Sequence, residues 1–128
     1  MPKDPAIKSA ATIVAVSNVD ASIAFYRDIL GFETILATPD DSLGIVAKGP
    51  ARLQLLKTDN EDALKATANN VAVYIEVDGV DDLYAHLQEG LETLPEGRLR
   101  PPFNQPYGMR EFHVKDPDGC LLFFAEDA

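Results

Sequence analysis

The chain has 128 residues, of which 46% are hydrophobic and 25% are charged, and its formal net charge at pH 7 is −10. This length allows one hydrophobic core rather than two independent domains, so we expect a single domain over residues 1–128. Binding to nucleic acid requires clustered basic residues, which a chain with 11 lysines and arginines against 21 acidic residues does not offer. The composition therefore predicts a globular protein that does not bind nucleic acid, and its charge gives weak support to a cationic ligand.

Membrane insertion and secretion are not expected either. No apolar stretch is long enough to cross a bilayer, and the first five residues, Met-Pro-Lys-Asp-Pro, lack the basic and apolar regions of a secretory signal. The single cysteine, Cys120, cannot form an internal disulfide and leaves no cysteine cluster for zinc. These features predict a cytoplasmic protein.

The first half of the chain is predicted to form a strand, a helix and three further strands. Residues 12–16 are a β-branched run, and Ser17 can cap a helix that starts near Asn18. Apolar residues then recur at helical spacing as far as Leu30, and Gly31 stands where a left-handed residue would end the helix. Strand patterns follow at residues 32–38, 43–48 and 51–57.

The second half repeats this pattern. Val77 and Asp81 stand 61 residues after Val16 and Asp20. A strand over residues 71–77 is followed by a helix that Gly90 is expected to end. Three strands are then predicted at residues 91–94, 109–115 and 120–126, the last two joined by a hairpin turn over residues 116–119.

Two segments lie outside the repeat. Residues 58–70 are polar and are predicted to link the two halves, while residues 95–107 contain four prolines and are predicted to form a loop. The sequence thus predicts an α+β fold of two tandem βαβββ modules, over about residues 8–57 and 71–126. One module alone cannot bury both its sheet and its helix, so the modules are expected to pack together or to pair with a second chain.

These residues resemble the vicinal-oxygen-chelate superfamily, which includes glyoxalases, bleomycin-resistance proteins and dioxygenases. Residues 16–32 resemble the first helix signature of the family, and residues 112–119 resemble its last hairpin. The resemblance implies a curved mixed sheet that forms a cup with the helices outside, paired in a homodimer. It says little about function, because one scaffold can support many chemistries.

The resemblance also locates the family's metal site, which is typically made by a histidine on the first strand of each module and a glutamate near the end of each last strand. In this chain those positions are Ala11, Ala72, Gln54 and Phe123. A catalytic divalent ion needs about three strong ligands, and a methyl group or a phenyl ring has no lone pair to offer. The resemblance therefore implies neither a metal nor another cofactor.

Two alternatives keep a metal possible. A shift of the last strand by an odd number of residues would make Glu126 the carboxylate ligand, although strand alternation places it on the face opposite Phe123. In the other alternative, Glu111 and His113 hold an ion elsewhere in the cup.

Strand alternation on this alignment, together with the loop at the mouth of the cup, predicts the residues that bind a ligand. They are Ile13, Arg52, Gln54, Tyr74, Glu76, Phe103, Tyr107, Glu111, His113 and Phe123. The aromatic rings are suited to stacking on a flat ring, and the carboxylates to pairing with a cation.

Each of these roles has a purely structural alternative. Phe123 can pack as core in the space that a metal would occupy. Glu76 and Glu111 can lie at a solvated sheet edge or pair with Arg52 or Arg110, and the loop residues can simply pack against the sheet.

The resemblance is strongest to the metal-free bleomycin-resistance type of binding protein. It implies a small-molecule ligand, with a cationic aromatic antibiotic such as bleomycin as the candidate and antibiotic resistance as the role. The alternative is a glyoxalase-like lyase, isomerase or transferase with displaced metal ligands, for which His113 and Glu111 are the candidate catalytic residues. Spacing alone fixes no partner for His113. A third possibility is a protein–protein module that only keeps the fold.

Overall fold

The structure is a computed structural model that describes residues 4–128. Within these residues the chain forms three helices and eight strands. The prediction that no secretory signal is present rests partly on residues 1–3, which lie outside the described residues. The elements are β1 (Thr12–Val16), α1 (Val19–Asp28), β2 (Glu33–Ala37), β3 (Leu43–Lys48), β4 (Ala51–Lys57), α2 (Glu61–Asn70), β5 (Ala72–Glu76), α3 (Val80–Leu91), β6 (Leu99–Asn104), β7 (Met109–Lys115) and β8 (Leu121–Asp127). No helix within residues 4–128 is long and apolar enough to cross a membrane.

The strands form two four-stranded sheets of identical topology. Sheet one has the order β1-β4-β3-β2, and sheet two has the order β5-β8-β7-β6. β1 runs parallel to β4 in sheet one, where Ile13 lies beside Gln54, and β5 runs parallel to β8 in sheet two, where Tyr74 lies beside Phe123. The remaining pairs are antiparallel. The predicted α+β fold of two tandem βαβββ modules is confirmed.

One face of each sheet is buried and the other is open. The inner faces contribute aliphatic and aromatic side chains to one core with α1 and α3, including Val14, Leu53, Phe112, Leu122 and Phe124, each exposed by 1% or less. The outer faces alternate with these positions, as strand geometry requires. Each sheet therefore presents one uncovered face in a single chain.

The N-cap of helix α1 lies one residue later than predicted. Asn18 is the N-cap, and its side chain accepts a hydrogen bond from the backbone N–H of Ala21 at 2.9 Å. Ser17 does not cap the helix. Its backbone N–H donates to Oδ2 of Asp118 at 3.0 Å, which ties the start of α1 to the turn between β7 and β8. Gly31 follows the helix with a positive φ of 73°, as predicted.

The prediction of a strand at residues 91–94 is wrong. The prediction that Gly90 ends the helix of the second module, which is α3, is wrong as well. α3 continues through Leu91, which is fully buried. The hydroxyl of Thr93 then donates to the carbonyl of Gly90 at 2.6 Å and closes the final turn. Burial of an apolar side chain here outweighs the low helix propensity of glycine.

The prediction of a loop over residues 95–107 is also wrong, because β6 lies within it. β6 is one of the two edge strands of sheet two and pairs with β7 alone. Its pairing shifts register between Arg100 and Phe103, at Pro101 and Pro102, which have no amide hydrogen to donate. An edge strand with a bulge is the place in a sheet that tolerates proline.

The polar segment 58–70 contains a helix that the sequence analysis did not predict. The side chain of Asn60 accepts hydrogen bonds from the backbone N–H groups of Asp62 and Ala63 and caps α2. No residue of α2 is buried. The helix therefore lacks the apolar stripe by which the other two were recognised.

Candidate ligand-binding site

The outer face of sheet two carries a row of aromatic rings, one from each strand. Tyr74 on β5 lies 5.8 Å from Phe123 on β8, which stacks on His113 of β7 at 4.1 Å and 14°. His113 meets Phe103 of β6 edge to face at 5.0 Å. These distances join ring centroids, and the angle lies between ring planes. The guanidinium of Arg100 lies 3.5 Å from the centroid of Phe103. We call the four rings, together with the guanidinium of Arg100, the aromatic row.

Phe123 has a neighbour on each side, because β8 lies between β5 and β7. His113 covers one face of its ring, and Tyr74 flanks the other at a tilt of 53°. A planar ligand would therefore meet the edges of the row or extend it at one end. Aromatic edges carry partial positive charge and pack well against the face of another ring.

A buried carboxylate lies beside the row. Glu111 is fully buried although it belongs to the outer face of β7, two residues before His113. Its Oε1 lies 2.7 Å from Nε2 of His113 and accepts from the amide of Gln105 at 3.1 Å. Its Oε2 accepts from the hydroxyl of Tyr107 at 2.5 Å and lies 3.5 Å from the hydroxyl of Tyr74. We call these five residues the Glu111 cluster.

The turn between β6 and β7 is what buries Glu111. The backbone N–H of Gln105 donates to the carbonyl of Met109 at 2.7 Å, and that of Gly108 donates to the carbonyl of Gln105 at 3.1 Å. Gly108 adopts a φ of 88°, a conformation that favours glycine. This tight turn brings the side chains of Gln105 and Tyr107 over the carboxylate.

Burial alone would raise the pKa of Glu111, but hydrogen bonds from Tyr107, His113 and Gln105 outweigh it and lower the pKa below its usual value. The bond to this carboxylate raises the pKa of Tyr107 to about 12, while desolvation and the same charge raise the pKa of Tyr74. An ionised carboxylate only accepts, so Nε2 of His113 must carry the hydrogen it shares with Glu111. At neutral pH the site contains a buried negative charge held by hydroxyl, amide and imidazole donors.

The structure brings six of the ten predicted ligand-binding residues together, in the aromatic row and the Glu111 cluster: Tyr74, Phe103, Tyr107, Glu111, His113 and Phe123. Arg52 and Glu76 line a cavity of about 320 Å³ beside Tyr74. Ile13 and Gln54 lie on the outer face of sheet one, where Ile13 is 61% exposed.

The side chains at the family's metal positions do not fit a metal. Ala11 and Ala72 have no donor atom, and within residues 4–128 no group of three or more His, Cys, Asp or Glu side chains is placed to hold an ion. Glu126, the alternative carboxylate, accepts instead from the backbone N–H of Gly79 at 2.6 Å. Glu111 and His113 together supply only two protein donors, fewer than a catalytic ion usually needs.

The sequence did not predict that Gln105 would bond to Glu111, and it did not indicate Arg100 as a site residue. Gln105 depends on the path of the turn that Gly108 permits, and Arg100 depends on β6, which was predicted as loop. The suggested pairing of Glu111 with Arg110 is not formed. Arg110 makes a two-pronged ion pair with Asp81 on α3, at 2.7 and 2.8 Å.

Comparisons with known proteins agree with this architecture. The family model described as Glyoxalase/Bleomycin resistance protein/Dioxygenase superfamily matches residues 8–124. A bleomycin resistance protein of Geobacillus stearothermophilus is 30% identical over 125 residues, covering 85% of this chain and 89% of the relative. The crystal structure of a bleomycin-binding protein from bleomycin-producing Streptomyces verticillus, complexed with copper(II)-bleomycin, is 26% identical with a TM-score of 0.75, covering 94% and 97% of the two chains.

The fold is shared by a glyoxalase-related enzyme from Clostridium phytofermentans, which is 18% identical. The two structures match with a TM-score of 0.71 over 99% of this chain and 100% of that chain. Because the family model covers most of the sequence and both modules are present, the chain belongs to the glyoxalase/bleomycin resistance protein/dioxygenase superfamily.

Proposed function

We propose that this protein binds a planar aromatic and cationic small molecule, such as a bleomycin-type antibiotic, and sequesters it without a metal or other cofactor. The observation that supports this most directly is the buried, ionised Glu111 carboxylate next to the aromatic row. A buried carboxylate attracts a cation more strongly than an exposed one, because less water screens it. The rings supply apolar contact area and orientation for a flat ligand.

The charge around the site supports the same ligand class. A second cavity of about 620 Å³ lies beside Tyr74 at the end of β5 and β8 and is lined by four carboxylates: Glu76, Asp78, Glu126 and Asp127. Together with the net charge of −10, these groups favour cations and disfavour nucleic acid.

We also propose that the site is completed in a homodimer. Ile13 and Leu56 on the outer face of sheet one are 61% and 48% exposed, and every residue of β2 is exposed. Sheet two leaves Tyr74 47% exposed. An apolar sheet face of this kind is stable in water when another surface covers it. In the proposed dimer, sheet one of one copy faces sheet two of the other and closes the cup around the ligand, in the cytoplasm.

Calorimetric titration with bleomycin and a panel of other cationic aromatic drugs tests the binding. Saturable heat with one ligand per chain is expected, and prior treatment with a chelator should leave the affinity unchanged. His113→Ala should weaken binding, whereas Glu89→Gln, on the exposed side of α3, should not. Flat isotherms for every drug would refute the proposal.

Light scattering after size exclusion tests the dimer. Leu56→Asp places a charge in the proposed interface and should give a folded monomer with little affinity for the drug. Ala85→Asp adds the same charge on the exposed side of α3 and should remain a dimer. A wild-type protein that runs as a monomer while it binds the drug would show that the cup does not need a second copy.

A second candidate function is acid–base catalysis on the bound molecule, as in a glyoxalase-like lyase, isomerase or transferase. The 2.7 Å contact between Nε2 of His113 and Oε1 of Glu111 favours it, because a carboxylate that orients an imidazole is a common arrangement in general acid–base sites. Mass spectrometry of the ligand after incubation separates the two functions. A change in mass or structure that His113→Ala abolishes would establish an enzyme, and an unchanged ligand is expected for a binding protein.

A further inference from the structure

We propose, building on the ligand-binding function above, that Oε2 of Glu111 binds a cationic N–H group of the ligand and that the Tyr107 hydroxyl is the placeholder which this cation displaces. The cation is an amidinium, a guanidinium or a primary ammonium attached to the planar part of the ligand. Glu111 is then the residue that selects charged over neutral ligands, and Tyr107 controls access to it.

The two oxygens of Glu111 have different surroundings. Oε1 is held on the protected side of the cluster by His113, whose side chain is only 13% exposed, and by the half-buried Gln105. The neighbours of Oε2 are the hydroxyls of Tyr107 and Tyr74. These two tyrosines are 61% and 47% exposed. A ligand that approaches from solvent therefore reaches Oε2 first.

A donor is needed at Oε2 even when no ligand is present, because a buried carboxylate oxygen without a partner is costly. Tyr107 supplies this donor as a neutral hydroxyl. The bond from Tyr107 already has one charged partner, the carboxylate. A cationic donor adds a Coulomb attraction to the same oxygen, where little water screens it, so a ligand cation competes with the hydroxyl. The exchange leaves the carboxylate satisfied in both states.

Displacement of Tyr107 does not require the turn to unfold. The backbone of the turn is held by hydrogen bonds from Gln105 to Met109 and from Ala128 to Gly108, at 2.7 and 2.9 Å. Tyr107 has a side chain that lies mostly in solvent. Rotation about its side-chain bonds is therefore sufficient to free Oε2, and such rotations are fast for exposed residues.

The aromatic row sets the direction of the ligand. At one end of the row the hydroxyl of Tyr74 lies 3.5 Å from Oε2 of Glu111, and the charges of Glu111, Glu76 and Asp127 all act on this hydroxyl. The opposite end of the row carries the guanidinium of Arg100 over Phe103. A cationic ligand that lies along the row should therefore place its charge at the Tyr74 end, next to Oε2.

The test uses two naphthalene probes of matched shape, 2-naphthamidine, which is cationic, and 2-naphthamide, which is neutral. Both are titrated into wild type, Tyr107→Phe, Glu111→Gln and the control Glu89→Gln, which removes the same charge from the exposed side of α3. Tyr107→Phe should raise the affinity for naphthamidine about three- to tenfold, because the competing hydroxyl is gone. Glu111→Gln should lower it by about tenfold or more, because the ion pair is lost.

The affinity for naphthamide should change by less than about twofold in all three variants, because it makes no ion pair. A purely structural role for the cluster would instead weaken both probes in both variants, and that outcome would overturn the inference. Thermal denaturation checks that Glu111→Gln is folded. If it is not, Tyr107→Phe still decides, since an unchanged or lower affinity for naphthamidine contradicts the placeholder role.

Bleomycin is titrated in parallel so that the two proposals fail differently. If wild type binds bleomycin and the two variants discriminate between the probes as wild type does, the inference is wrong and the proposed function stands. If wild type binds neither bleomycin nor either probe, the proposed function is wrong and the inference falls with it.

Discussion

The outer faces of the two sheets come from equivalent strands of the repeat, yet their chemistry differs. On sheet one the face presents Ile13 and Leu56, with Gln54 between them. On sheet two Tyr74 stands 61 residues after Ile13 and takes part in a hydrogen-bonded cluster around Glu111. The difference supports the proposed division of roles, in which one face covers the ligand and the other orients it.

The inner faces do not diverge in this way. Val14 and Leu53 in sheet one have the same task as Phe112 and Leu122 in sheet two, which is to exclude water beneath a helix. Burial of apolar surface has no directional requirement, so many side chains satisfy it. Predictions that separate inner from outer positions therefore test whether the outer face of sheet two exists for packing or for binding.

The largest effect is expected for Phe112→Ala. Phe112 is fully buried, stacks on Phe124 at 4.8 Å and meets Tyr84 edge to face. Its loss should lower the free energy of unfolding by about 3–5 kcal/mol, measured by urea denaturation. Phe123→Ala, on the outer face of the same sheet, should cost less than about half of that, because the residue is partly exposed. Equal losses would mean that Phe123 is core packing.

The next effect concerns the contact between the two halves. Asp116 is buried at the turn after β7, where Oδ2 accepts from the hydroxyl of Tyr26 on α1 at 3.0 Å. Its Oδ1 accepts from the backbone N–H groups of Asp118 and Cys120 at 2.9 and 2.8 Å. Asp116→Ala strands these donors and should cost about 3 kcal/mol, whereas Asp116→Asn keeps the backbone bonds and should cost about 1 kcal/mol or less. Urea denaturation measures both, and a severe loss in the Asn variant would contradict this account.

The same residue predicts a pH dependence. Desolvation raises the pKa of Asp116, and its hydrogen bonds to Cys120 and Tyr26 only partly offset the rise. A raised pKa means that the folded state holds this proton more tightly than the unfolded chain. Asp116 therefore adds stability below its unfolded pKa of about 3.9, and this contribution is lost as the pH rises through the higher folded value. Unfolding free energies of wild type minus Asp116→Asn should accordingly fall as the pH rises from about 4 to 7, and a difference that grew would have the wrong sign.

A smaller effect separates the two outer faces directly. His113→Ala removes both a ring stacked on Phe123 and a donor to Glu111, so bleomycin affinity should fall by about tenfold. Gln54→Ala, at an outer position of sheet one, should change it by less than about threefold, since that face is proposed to cover rather than orient. Calorimetry measures both, and the reverse ranking would exchange the roles of the faces.

The smallest effect is expected for Glu76→Gln. This carboxylate is exposed, so it acts on the ligand through solvent. Bleomycin affinity should fall by about twofold at low salt and by less at about 0.5 M salt, where screening is stronger. A large loss that persists in high salt would place Glu76, rather than Glu111, at the cation.

The sequence predicted the repeat and the two βαβββ modules, because these depend on the periodicity of apolar residues. It predicted α1 from the same periodicity and from the glycine that follows the helix. It did not predict β6, where prolines suggest a loop and only the edge position makes a strand possible. It placed Glu111 and His113 on one face by alternation. It did not predict that Gln105 and Tyr107 would cover Glu111, because the path of that turn depends on the backbone conformation at Gly108.

The prolines of β6 also restrict how copies of this chain can assemble. Pro101 and Pro102 leave two successive positions on the outer edge of sheet two without an amide hydrogen, and the register shift at the same place distorts the edge further. A strand from another molecule therefore cannot extend the sheet beyond β6 in the manner of a growing aggregate. A second copy that comes to the aromatic row from the β6 side has to approach over the face of the sheet, which is the face proposed to bind the ligand.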